Sequence, residues 1–113
     1  MSIEETVVAF LNERLAEPVS TEVPPGPPAS YVVLEKTGSS EDHSLLTAMI
    51  AVQSIAPNMP AAIALNDRVK SAMRQLPTLT NVFRCHCETD HNFSDPRTKS
   101  RRYQAIFEIV YKE

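Results

Sequence analysis

The fold is decided by residues 101–112, which read Arg-Arg-Tyr-Gln-Ala-Ile-Phe-Glu-Ile-Val-Tyr-Lys. Apolar and polar side chains alternate along this run, and a period of two is typical of a strand with one buried face. An earlier run, Val82 to Glu88, alternates in the same way and places Phe83, Cys85 and Cys87 on one face. The two runs predict a long antiparallel hairpin. Because a hairpin is not stable alone in water, helices or further strands must cover its apolar face.

The length and charge of the chain narrow the class of protein. Its 113 residues fit one domain, residues 1–113. A net charge of -3 gives no general reason to expect binding to nucleic acid or lipid, because surfaces that bind phosphate are normally basic. No apolar stretch approaches the roughly 20 residues that span a bilayer, and the first residues do not resemble a signal peptide. We therefore expect a soluble protein made in the cytoplasm, with no membrane partner.

Two segments have the apolar spacing of three and four residues that indicates an amphipathic helix. The first follows Ser2, which fits a capping box with Glu5, and it ends before Pro18. The second follows the candidate N-cap Asn58 and stops at Pro77. The apolar stripes of the two helices are Ile3, Val7, Phe10, Leu11 and Leu15 in the first, and Ala62, Leu65, Val69, Ala72 and Leu76 in the second.

The segment between the helices is rich in strand formers. Val19 to Val23 predicts a short strand, the prolines of residues 24–28 predict a stiff extended connection, and Tyr31 to Lys36 predicts a second strand. The polar run 37–43 predicts a mobile loop. Residues 44–55 fit a strand or a helix, and we favour the strand because a helix would leave the preceding strand without an obvious antiparallel partner.

These elements predict an α+β fold in the order α-β-β-β-α-β-β. The sheet has four to five strands, antiparallel or mixed, and the two helices pack on one of its faces.

Candidate chemistry is confined to one cluster. Thiolates and imidazoles are the usual zinc ligands, so Cys85, His86, Cys87 and His91 are weak candidates for a metal site or for a small thiol- or metal-dependent enzyme. The strand pattern argues against both, because the two cysteines face the core while His86 points away. The two glycines form no phosphate-binding or dinucleotide motif. We therefore predict no catalytic residue, no bound metal and no cofactor.

A basic run lies near the start of the last predicted strand. It consists of Arg97, Lys99, Arg101 and Arg102, with Asp95 beside it. Interleaved aromatic residues and an overall basic charge are missing, so we expect no specific binding to nucleic acid. The run is typical of either a solvated turn at the end of a hairpin or a charged surface that docks against an acidic patch on a neighbouring subunit. Four glutamates near the first helix are candidates for that patch: Glu4, Glu5, Glu13 and Glu17.

The order of these elements resembles a family of phage proteins. One half of the resemblance is an amphipathic helix, a proline-rich turn into Tyr-Val-Val-Leu at residues 31–34, and a polar loop before a long strand. The other half is the helix Ala-Ile-Ala-Leu-Asn-Asp-Arg-Val-Lys at residues 62–70, followed by a hairpin with Asp95 before residues 102–109. Together these look like the small tail-completion or tail-terminator proteins of long-tailed bacteriophages and prophages, a family that includes the lambda tail terminator.

This resemblance implies a structural protein without catalytic residues. Members of the family assemble into rings, commonly hexamers, which cap the tail tube, end its polymerisation and provide the surface on which the head docks. The implied partners are further copies of the chain, the tail-tube protein and head-completion or connector proteins. The implied location is the virion tail, assembled in the cytoplasm of a host bacterium.

The first alternative function is another head-tail connector or head-closure protein. The second and less favoured alternative is the small thiol- or metal-dependent enzyme. A closed ring needs two different patches on each subunit. The polar segments are the expected contact surfaces, and their residues are Gly38, Ser39, Glu41, Asp42, His43, His91, Asp95, Arg97, Lys99, Arg101 and Arg102.

Overall fold

The computed structural model describes residues 1–113 and contains two α-helices and a five-stranded sheet. In chain order the elements are α1 (Ile3–Asn12), β1 (Val19–Ser20), β2 (Tyr31–Asp42), β3 (Leu45–Ala56), α2 (Met59–Met73), β4 (Val82–Asn92) and β5 (Arg101–Tyr111), with a short 3₁₀ helix at Leu76–Thr78. The predicted α+β class and element order are confirmed. Neither α-helix is both long and apolar enough to cross a membrane.

The sheet has the strand order β1-β2-β3-β5-β4. It is mixed, because β1 pairs with β2 in parallel and all the other pairs are antiparallel. The preference for a strand over residues 44–55 is confirmed, since β3 lies at the centre of the sheet between β2 and β5. The predicted C-terminal hairpin is β4 and β5.

Both helices begin where the sequence predicts. The Ser2 Oγ atom accepts a hydrogen bond from the Glu5 N–H at 3.1 Å, and the Glu5 Oε1 atom accepts one from the Ser2 N–H at 2.9 Å. At α2 the Asn58 side chain accepts from the Ala61 N–H at 2.9 Å. α1 ends at Asn12 and α2 ends at Met73, so the last residue of each predicted stripe, Leu15 or Leu76, lies beyond its helix.

The core lies between the two helices and one face of the sheet. Every residue of the two predicted helical stripes is buried. The sheet contributes fully buried side chains to the same core: Leu34 of β2, Ile50 and Val52 of β3, and Phe107 and Ile109 of β5. The opposite face of the sheet carries no helix.

The polar run 37–43 does not form the predicted mobile loop. It continues β2 as far as Asp42, and its residues pair with residues 45–49 of β3 after a register shift at Thr37. A long neighbouring strand supplies backbone partners, and this pairing overrides the weak strand propensity of the polar residues. β1 is in turn shorter than predicted, with Val19 and Ser20 alone in the strand.

Phe83 does not lie in the core, which corrects the predicted pattern of β4. A β-bulge leaves Phe83 unpaired between Val82 and Arg84, so its side chain is 52% exposed. One extra residue reverses the alternation of a strand at that point. A second bulge follows at Glu88.

Candidate interaction surfaces

The turn between β2 and β3 is acidic and exposed at one end of the sheet, and we name it the hairpin tip (residues 41–46). Of the predicted contact residues in this part of the chain, Gly38, Ser39, Glu41 and Asp42 lie in β2 and His43 lies in the turn. Next to the acidic residues, Leu45 begins β3 with its side chain 45% exposed. The tip therefore combines exposed carboxylates with an exposed apolar side chain.

Two residues, His43 and Ser44, make the turn, with positive φ angles of 51° and 72°. Two-residue turns of this handedness match the twist of a hairpin, and Asn-Gly is the usual sequence for them. A residue with a Cβ atom pays about 1 to 2 kcal/mol for a left-handed conformation. The hairpin tip thus has a fixed shape that its own sequence does not favour locally. The His43 Nε2 atom also lies 3.3 Å from the Asp42 Oδ1 atom.

The connection between β4 and β5, at the other end of the sheet, holds two of the four residues of the predicted basic run. His91 lies in β4, Asp95, Arg97 and Lys99 lie in the connection, and Arg101 begins β5. The Arg97 guanidinium donates to both carboxylate oxygens of Asp95, at 3.1 and 3.0 Å. These hydrogen bonds lower the pKa of Asp95.

The remaining cations of the basic run have no carboxylate partner. Arg102 donates to the Gln53 Oε1 atom at 2.9 Å, and the Gln53 amide donates to Gln104 at 2.9 Å. Arg101 donates to two backbone carbonyls of the connection. Neither arginine forms an ion pair, and Lys99 also lacks one. Three positive charges are therefore free to meet an external acidic group.

A groove of about 290 Å³, which we name the proline groove, opens beside these cations. The segment before β2, the start of β2, the end of β3 with the residue that follows it, and the β4–β5 connection surround it. Its lining residues are Pro27, Pro28, Ala29, Tyr31, Ile55, Pro57, Lys99 and Ser100. The groove is thus mainly apolar, with a free ammonium group at its side.

The hairpin tip and the proline groove lie at opposite ends of the molecule. Tyr31 in the groove is the first residue of β2, and Asp42 in the tip is its last. Twelve extended residues span about 36 Å at a rise of roughly 3.3 Å per residue, and the longest dimension of the protein is 45 Å. The two predicted contact segments therefore form two separate surfaces.

The structure does not bring the candidate metal ligands together. Cys85 and Cys87 are half-buried on the side of β4 that faces α2, whereas His86 is exposed on the other side. His91 lies further along the strand and packs edge-on against Phe93. No group of three His, Cys, Asp or Glu side chains is placed to hold a metal ion.

The two thiols are also poorly placed for nucleophilic chemistry. Burial raises the pKa of the Cys85 thiol to about 12. Burial raises the pKa of Cys87 as well, and the nearby Asp90 carboxylate adds to this effect. Since the thiolate is the nucleophile, the raised pKa values disfavour nucleophilic chemistry at both thiols.

Two of the four glutamates expected to form an acidic patch near the first helix already have partners within the chain. The Glu17 carboxylate accepts two hydrogen bonds from Arg68 at 2.8 and 2.7 Å, which lower the pKa of Glu17. Glu5 is bound in the capping box. The hairpin tip, with Glu41 and Asp42, is the better candidate for an acidic contact surface.

A solved structure has a similar fold, although no protein-family model and no curated protein matches the chain. The solved structure is a chain in the virion of a native gene transfer agent particle. The alignment covers 98% of this chain and 87% of that chain, with a TM-score of 0.63 and 16% sequence identity. The two chains share a fold.

Sequence reasoning missed the proline groove and the contacts between α2 and β4. The proline groove joins segments that lie far apart in the chain, so no local motif marks it. The Lys70 ammonium and the Asn66 amide both donate to Asp90, at 2.7 and 2.8 Å. The spacing of Asn66 and Lys70, one helical turn apart, is the only sequence signal for this contact.

Proposed function

We propose that this protein is a structural component of a phage-like virion and that it forms a ring that caps the tail tube. In this role it ends tail polymerisation, provides the head-docking surface and carries no catalytic site. The observation that carries the proposal is the fold it shares, over nearly its whole length, with a virion chain of a gene transfer agent particle. The proposal places the protein in the virion tail after assembly in a bacterial cytoplasm.

The arrangement of the two surfaces supports a ring. A closed ring of identical subunits needs a heterologous contact, in which one patch of each subunit meets a different patch of the next. The hairpin tip and the proline groove differ in shape and charge and lie at opposite ends of the molecule. Subunits with two unlike ends can join in series, and the series closes when the rotation between neighbours permits it.

Another head-tail connector or head-closure protein is the second candidate. The similar solved structure is described by its particle and not by its position in the particle, so its fold supports both roles equally. The partner that the ring binds separates them, because a terminator binds the end of the tail tube.

The test measures assembly and tube binding together. The mass of the purified protein is measured over a range of concentrations by analytical ultracentrifugation, and its particles are imaged by electron microscopy. Tail-tube subunits are then polymerised with and without the protein. We expect rings, commonly hexamers, and shorter tubes that carry a ring at one end.

Two outcomes decide against the proposal in different ways. A protein that stays monomeric at every concentration and leaves tube length unchanged contradicts the ring and the terminator role. Rings that leave tube growth unchanged but bind the portal or neck proteins favour the connector.

A further inference from the structure

We propose that neighbouring copies of this chain bind head to tail, with the hairpin tip of one copy seated in the proline groove of the next. This contact rests on the proposed ring and specifies which surfaces form it. Three features of the two surfaces support the pairing: their apolar side chains, their charges and the rigidity of the hairpin tip.

Both surfaces carry exposed apolar groups, and the groove is large enough for a leucine side chain. Leu45 is almost half exposed beside the turn that joins β2 to β3. The apolar lining of the proline groove includes Pro27, Pro28, Tyr31 and Ile55. Its volume of about 290 Å³ exceeds that of a leucine side chain. Seating Leu45 there removes apolar surface of both copies from water.

The charges next to these apolar parts are opposite in sign. Asp42 pairs directly with Leu45 across the hairpin, and Glu41 precedes it in β2. Lys99 lines the proline groove and Arg101 follows it closely in the chain. Glu41 has no cationic partner within its own chain, and neither Lys99 nor Arg101 has a carboxylate partner. A second copy supplies the missing partners on both sides.

The hairpin tip is held in one conformation before any contact forms. β2 and β3 pair without a gap from Gly38 and Met49 to Asp42 and Leu45. His43 and Ser44 keep positive φ angles that glycine or asparagine would adopt more easily. An unfavourable conformation that the surrounding structure maintains is a common feature of binding sites. A pre-organised turn also loses less conformational entropy on binding.

Cysteine cross-linking tests the contact directly. The background variant is Cys85→Ser with Cys87→Ser, which removes the native thiols. Leu45→Cys and Ala29→Cys are then introduced, alone and together, and the proteins are oxidised and separated on a denaturing gel. We expect a ladder of linked chains from the protein with both cysteines and monomers from each single variant. Dimers from Leu45→Cys alone would indicate a tip-to-tip contact and overturn the proposal.

The gel and the ultracentrifuge together distinguish this contact from the proposed function. Self-association of the wild-type protein without a ladder overturns the head-to-tail contact and leaves the ring in place. A ladder from a protein that neither closes into rings nor binds tubes overturns the proposed function and supports the contact. A monomeric wild-type protein without a ladder contradicts both.

Charge exchange provides a second test. Asp42→Lys alters the hairpin tip and Lys99→Asp alters the proline groove, and each variant should associate about tenfold more weakly because like charges then meet. Mixing the two variants should restore assembly, since each tip then finds a groove of opposite charge. Arg74→Asp, outside both surfaces, is the control and should assemble normally. Normal assembly of both single variants would overturn the charge pairing.

Discussion

At the residue scale, Asp90 shows how one side chain fastens an edge strand to a helix. It lies in β4 and accepts hydrogen bonds from Asn66 and Lys70 of α2. The bond from Lys70 is the main cause that lowers the pKa of Asp90, and the same bond raises the pKa of Lys70. β4 has a strand partner on one side only, so this contact with the helix adds to its anchoring.

Replacing Asp90 should therefore destabilise the protein. We expect Asp90→Ala to lower the free energy of unfolding by about 1 to 3 kcal/mol, because the Asn66 amide, 1% exposed, loses its acceptor. Urea denaturation measures the change. The control is Asp67→Ala, whose carboxylate lies 3.7 Å from the same Lys70 but is 65% exposed. It should change stability by less than about 0.5 kcal/mol. Equal effects would show that Asp90 acts as an ordinary surface charge.

Because the pKa of the Asp90 carboxylate is lowered, we expect the protein to lose stability in acid. A carboxyl group whose pKa is lower in the folded protein stabilises it above the unfolded pKa, about 4 for aspartate, and this contribution disappears as the pH falls through the folded pKa. Asp90 and Glu17 both have lowered pKa values. The free energy of unfolding should thus fall below about pH 4, and less steeply in Asp90→Ala. Parallel curves for the two proteins would contradict this assignment.

Individual residues are predictable where their partners are close in the chain. The capping box of Ser2 and Glu5 and the N-cap Asn58 were readable from the sequence because their partners are three residues away. The contact between Lys70 and Asp90 and the exposure of Phe83 depend on strand register, which the sequence does not display.

At the element scale, the β2–β3 hairpin shows how pairing overrides local preference. Residues 37–43 are polar and contain a glycine, as loops often do. They form a strand because β3 continues beside them with an apolar sequence that β5 pairs on its other side. The sequence could predict β3 from its own pattern, but the length of β2 follows from its partner.

The turn of this hairpin offers a stabilising substitution. We expect the double variant His43→Asn with Ser44→Gly to raise the free energy of unfolding by about 1 to 2 kcal/mol, because both new residues tolerate positive φ. Thermal and urea denaturation measure the gain. Gly26→Ala is the opposite test, because it adds a Cβ atom at a residue with a positive φ angle. The φ angle of Gly26 is +57°, and nothing lies within 4 Å of an added Cβ atom. The free energy of unfolding of this variant should therefore fall by about 1 kcal/mol through backbone strain alone. No change in either protein would contradict the assigned turn conformations.

At the scale of the whole molecule, stability depends on one core between the helices and the sheet. Phe107 is among the largest fully buried side chains and lies on a central strand. We expect Phe107→Ala to cost about 3 to 5 kcal/mol through loss of buried surface and the cavity that remains. That is a large share of the 5 to 15 kcal/mol typical of a folded domain.

Phe83→Ala is the matched control for this prediction. It removes the same side chain from an exposed position on the neighbouring strand, so the expected cost is less than about 0.5 kcal/mol. Denaturation curves of both variants measure the difference. Similar losses would mean that the bulge does not turn Phe83 away from the core.

The architecture as a whole was predictable, and the placement of its surfaces was not. Periodicity identified both helices and the order of the helices and strands along the chain, because amphipathic patterns record which faces are buried. The two predicted contact segments appeared in the sequence only as polar runs. Their separation by the length of β2 follows from strand direction, and strand direction is a property of the folded sheet.

The bulges in β4 have a consequence for solubility. An unpaired edge strand is a template for endless strand addition, which leads to fibres with a cross-β repeat. Two β-bulges interrupt the regular pairing of β4, at Phe83 and at Glu88. Incoming strands meet an irregular row of donors and acceptors at this edge. The two bulges therefore disfavour growth by backbone pairing at this edge.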